Sequence, residues 1–151
     1  MLHLARRIAT NRSGTAAIEF GLTIPLLLIL LMGVVELTFA IYEAMQVYDA
    51  VEAGALYAAQ NGWSSSGIST AVTSATSATG LTATPAPSQF WGCPSESGIT
   101  TVASSSVKCS GNTNPGQYVQ VNATLNHSTI LPYPALSLPT SFTATSTIRI
   151  N

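Results

Sequence analysis

From Phe20 to Val35 the chain reads FGLTIPLLLILLMGVV, without a single charge, and Leu37 to Tyr42 continue the run beyond one acid, Glu36. Taken as a helix at about 1.5 Å per residue, residues 16–42 more than cover a hydrocarbon layer of roughly 30 Å. The reading is a transmembrane segment over roughly 16–42. The arginines Arg6, Arg7 and Arg12 precede it, and Lys108 and Arg149 are the only basic residues after it. That asymmetry sets the N-terminus in the cytoplasm and everything after about residue 40 outside, a single pass. Charge is scarce elsewhere too: 5 basic and 6 acidic residues in 151, a formal net charge of −1. This excludes a nucleic-acid binder working by bulk electrostatics, which needs a Lys/Arg patch to displace phosphate counterions.

Helical periodicity continues past the span. Ile41, Met45, Tyr48, Val51, Ala55 and Ala58 recur at three- and four-residue steps, with Glu43, Gln46, Asp49 and Glu52 on other faces. The pattern predicts one helix over 15–62, its packing stripe made of those apolar residues, with Asn61-Gly62 as its stop. Pro25 removes one backbone donor inside the apolar half and is expected to kink it. Glu36 reads as the outer membrane boundary or as a contact with another helix. Glu43, Asp49 and Glu52 read as a solvated face or as a surface selecting a basic partner helix. The small residues Ala50, Ala53, Gly54, Ala55, Ala58 and Ala59 allow either close approach of another helix or the seating of a C-terminal sheet.

At Trp63 the composition shifts. Residues 63–151 hold 32 Ser and Thr, seven of the eight prolines and three charges, Glu96, Lys108 and Arg149. Ile68, Ala71, Val72 and Ala75 fit a short helix ended by Gly80. Pro85, Pro87 and Pro94 argue for loops around Phe90–Cys93. Val119, Val121, Ala123 and Leu125 alternate with polar residues, as do Phe142, Ala144, Ser146, Ile148 and Ile150, which predicts two strands paired antiparallel across the Pro-rich connection 126–141. Ile99–Val107 is a weaker third strand. The fold class expected is α+β: a long N-terminal helix with a membrane-spanning first half, and a small head over 63–151 containing an antiparallel sheet.

The junction between the basic leader and the apolar run is Arg12-Ser13-Gly14-Thr15-Ala16-Ala17-Ile18-Glu19-Phe20. A glycine is followed at the fifth position by a glutamate and at the sixth by an aromatic, with the apolar run directly behind. This resembles the processing site of type IV pilin-like proteins in the G-x-x-x-x-E-[FY] form of Flp pilins and of the TadE-like pseudopilins of tight-adherence (Tad) systems. GTAAIEFGLTIPLLLILLMGVVEL is similar to the opening of the TadE-like family, and PALSLPTSFTATSTIRIN to its close. The resemblance implies that an inner-membrane prepilin peptidase cuts after Gly14 and leaves Thr15 first. Residues 1–14 would then be a removed leader, and the mature chain would keep 2 basic and 6 acidic side chains. A glycine suits such a site because backbone without a side chain enters a narrow cleft in extended form. The resemblance further implies that Glu19, with Phe20 beside it, takes part in subunit pairing, the carboxylate meeting the amine of a neighbouring Thr15. On residue type alone Glu19 could simply reach the cytoplasmic interface. Carried to the bilayer centre, a carboxylate costs about 2.5–3.5 kcal/mol, which pairing on assembly would offset.

Cys93 and Cys109 lie outside by the topology, where a disulfide is expected; it would close a loop of about 16 residues and contribute on the order of 3 kcal/mol. A metal pair lacks further ligands, since His3 is in the leader and His127 stands alone in a polar turn. Asn122-Ala123-Thr124 and Asn126-His127-Ser128 match the N-glycosylation pattern, read as chance in a Ser/Thr-rich chain. With one imidazole and one carboxylate beyond the long helix, a Ser-His-acid site has little to be built from. No catalytic residue, metal, cofactor, nucleic acid or small-molecule substrate is expected.

The resemblance thus implies a minor pilin or pseudopilin of a Tad/Flp-type adhesive pilus, in the bacterial inner membrane with a periplasmic head, or incorporated in the pilus. Its partners would be prepilin peptidase, other minor pilins or pseudopilins and the assembly platform. Major Flp pilins are far shorter, which argues against a bulk filament subunit. Two rivals stand beside it: an uncleaved single-pass protein whose head binds a surface component, and a secreted protein cut by signal peptidase after Ala40.

Overall fold

The computed structural model describes residues 13–130 and 138–151. The leader arginines, His3 and the middle of the Pro-rich connection lie outside the described residues. Two compact units divide between Phe39 and Ala40. A continuous helix, α1 (Ser13–Asn61), contributes to both and runs through Pro25. It stops where the Asn61-Gly62 pair predicts: Gly62 takes φ +76°, and its amide donates to the carbonyl of Ala58 at 2.9 Å.

In the first unit the apolar side chains of α1 point outward on every side. Ile18, Phe20, Leu22, Leu26 to Met32, Val34, Val35, Leu37 and Phe39 are all exposed, Leu22 by 74%. The hydroxyls of Thr23 and Thr38 donate back to the carbonyls of Phe20 and Val34, so neither demands water. This is the one helix among the described residues that is long and apolar enough to cross a membrane.

The second unit is an α+β head built on the end of α1. Helix α2 (Ser65–Ser74) starts at Ser64, whose hydroxyl accepts from the amide of Gly67 at 3.2 Å, and turns Ile68 and Val72 inward one turn apart. It ends at Ala75, five residues before the expected Gly80, which instead takes φ +86° in a later turn. The sheet is β1 (Ser88–Ser95), β2 (Gly98–Val102), β3 (Gly116–Asn126) and β4 (Ser141–Arg149), in the order β2-β1-β3-β4 with every neighbouring pair antiparallel.

The expected β3–β4 pair forms, Val121 facing Ser146 and Ala123 facing Ala144. Two expectations are corrected. Residues 88–95 are a strand rather than a loop, because β3 pairs with β1 only as far as Gly92; Pro94 therefore lies past the last ladder position on that side, where its missing N–H costs nothing. Strand β2 is shorter than Ile99–Val107 and ends at Val102.

The core gathers Val47, Ala50, Val51 and Ala58 of α1, Ile68 and Val72 of α2, Leu81, and Val119, Val121, Ala123, Leu125 and Ala144 of the sheet. Gly54 sets how closely these layers meet: a Cβ there would stand 2.6 Å from Val72 Cγ2 and 2.7 Å from Val121 Cγ1. Of the two readings of the small residues, seating the sheet is the one realised at Ala50, Gly54 and Ala58, which recur every four residues. The packing stripe is consequently displaced from the predicted one. Val51, Ala55 and Ala58 are buried, but Ile41, Met45 and Tyr48 are exposed by 54–63%. Ala50, Gly54 and Ala58 let the helix backbone approach the sheet, Val47 and Val51 fill in beside them, and Ile41, Met45 and Tyr48 are left outward.

Candidate assembly site on the long helix

Gly14 to Phe20 are helical and exposed. The Gly14–Thr15 bond lies within α1 and not in extended chain. A Cβ at Gly14 would meet nothing within 4 Å, so the fold itself makes no packing demand for glycine there. Thr15 and Glu19 are one turn apart and share a face, and Phe20 is 65% exposed beside them. No described side chain of this chain covers the motif.

Beyond Ala40 the same helix presents two different faces. One is buried in the head. The other carries Ile41, Tyr42, Met45, Tyr48 and Leu56, each exposed by more than half, with Asp49 and Glu52 also outward. Glu36, expected at the membrane boundary or on another helix, is only 3% exposed.

Two other sequence readings change. Glu43 does not lie on a purely solvated face, and His127 is not alone in a polar turn. His127 Nδ1 donates to Glu43 Oε2 at 2.7 Å, the imidazole side chain 2% exposed and the carboxylate 30%, and the ring leans on Phe142 with centroids 5.4 Å apart. Nothing local could have revealed this pair, whose members are 84 residues apart. The arrangement resembles the acid–imidazole half of a hydrolase site, but His127 Nε2 is buried too, so no substrate reaches it. Asn122 is likewise enclosed: its amide donates to the carbonyl of Pro85 and its oxygen accepts from Thr145.

Cys93 on β1 and Cys109 in the β2–β3 loop are joined by a disulfide with Cα atoms 5.5 Å apart. Among the described residues, no three His, Cys, Asp or Glu side chains come together to hold a metal.

With this geometry in hand, comparison with known proteins is informative for the helix. Residues 14–56 match the family model described as TadE-like protein. The match begins at the glycine of the motif, covers less than a third of the chain and ends within the part of α1 that seats the head. No curated protein and no solved structure matches.

Proposed function

We propose that this protein is a minor pilin or pseudopilin that takes part in assembling or initiating a Tad-type pilus. Prepilin peptidase cuts it after Gly14 and frees Thr15. The observation that carries the reading is the position of the family match, which opens on Gly14 and takes in Glu19, Phe20 and the apolar run together. Before assembly, the all-round apolar half of α1 resides in the inner membrane with the head on the periplasmic side. On assembly, Glu19 meets the new amine of a neighbouring subunit, and the outward Ile41, Met45 and Tyr48 lie against helices of other minor pilins at the assembly platform.

Chromosomal replacement in a piliated host tests this. Gly14→Val should leave the leader attached and abolish surface pili, whereas Glu19→Ala should still be processed yet fail to restore them. Normal piliation with both variants would overturn the reading. So would loss of processing in Glu19→Ala together with normal pili.

A further inference from the structure

Opposite the face of α1 that is buried in the head, Tyr42, Met45, Asp49, Glu52, Leu56 and Ala59 are all exposed. They follow one another at steps of three, four, three, four and three residues, the heptad spacing that keeps one seam of a helix against another helix. At about 100° per residue this seam is centred roughly half a turn round from Ala50, Gly54 and Ala58. Two chains joined along it would therefore hold their heads on opposite outer sides. Ile41 and Tyr48 flank the seam, exposed by 54% and 63%.

Distance and charge exclude two occupants. A hydrocarbon layer of roughly 30 Å that starts at Glu19 ends near Phe39, and the headgroup layer adds about 5–8 Å. Lipid thus reaches Tyr42 but not Asp49 or Leu56, which lie about 15 and 25 Å further along α1 than Phe39. A second copy would set four carboxylates in the middle of the joint seam, where like charges repel with little water between them. Between Ser13 and Asn61 α1 has no lysine or arginine to relieve them. Of the head's two bases, Lys108 donates to Asn114 in the disulfide loop and Arg149 to the Asn151 oxygen, both away from α1.

We propose that this seam docks a helix of a different chain, which carries Lys or Arg at the level of Asp49 and Glu52 and apolar residues above and below. Tyr42, Met45 and Leu56 supply the contact area. The two acids choose the partner and its register, as a polar residue inside a coiled-coil seam does. The inference deepens the minor-pilin reading, and rests on it for placing both helices in one membrane.

A charge-reversed copy of this chain is the probe. Full-length chains with Met45→Cys and different affinity tags are co-expressed in the piliated host, and their membranes are oxidised with copper phenanthroline. Three pairings are compared: unreversed with unreversed, Asp49→Lys/Glu52→Lys with itself, and one of each. The mixed pair should give at least about ten times more intermolecular disulfide than either like pair, as opposed close charges imply. With Thr101→Cys on β2 in place of Met45→Cys, the three pairings should not differ. Asp49 and Glu52 are exposed, so their reversal should leave the head's denaturation midpoint unchanged. No mixed disulfide, or an unreversed pair as abundant as the mixed one, overturns the inference. In the same host, benzoylphenylalanine at Met45 should capture a different chain on a helix with Lys or Arg within one turn of the crosslink; capture of a second copy overturns it too. Mature N-termini are read on the same samples. A start at Met1 counts against the processing reading, whereas a failed mixed pair among chains starting at Thr15 counts against the seam alone.

Discussion

Residues 14–39 and 40–61 belong to the same helix, yet they solve opposite problems. In the first stretch Leu, Ile and Val cover every side and stay exposed, which in water is costly and in lipid is not. In the second, Ala50, Gly54 and Ala58 make a narrow, small-residue stripe that disappears into the head, while the bulkier Ile41, Met45 and Tyr48 face out. Hydrophobicity alone does not separate the two. What separates them is a line of small residues at four-residue spacing, flanked by Val47 and Val51: large residues all round await a fluid medium, whereas that line awaits a rigid sheet.

The sharpest break of this comparison is a change in the packed part. Ile68→Ala empties a fully buried site facing the small-residue stripe and should lower the head's stability by about 2–5 kcal/mol in chemical denaturation. Gly54→Ala tests the stripe itself. The added methyl must displace Val72 and Val121, and the expected cost is about 1–3 kcal/mol; a stabilised variant would mean that helix propensity outweighs packing there. Leu30→Ala is the counterpart in the exposed stretch, where it should change the head's denaturation by less than about 0.5 kcal/mol.

Much of this was legible in the sequence, for identifiable reasons. The helix end at Asn61-Gly62 and the pairing of β3 with β4 follow from local signals, a left-handed stop and strict alternation. Strand β1 was hidden because Pro94 and Gly92 look like loop residues; whether a proline is tolerated depends on where the neighbouring strand stops pairing, which is not a local property. The packing face of α1 was misplaced because periodicity weights bulky apolar residues, while close approach to a sheet favours alanine and glycine. The Glu43–His127 pair joins residues far apart in the chain, and no spacing rule reaches it. The motif from Gly14 to Phe20 is the converse case, read from sequence and family likeness, while the fold adds only that it is helical and exposed.

The central claim is that the exposed Gly14–Thr15 bond is a processing site. The most direct measurement is the intact mass and N-terminal sequence of the protein extracted from membranes of strains with and without prepilin peptidase. The account predicts a chain starting at Thr15 only where the peptidase is present. A chain starting at Met1 in both strains would contradict it and leave a membrane-tethered head as the better description.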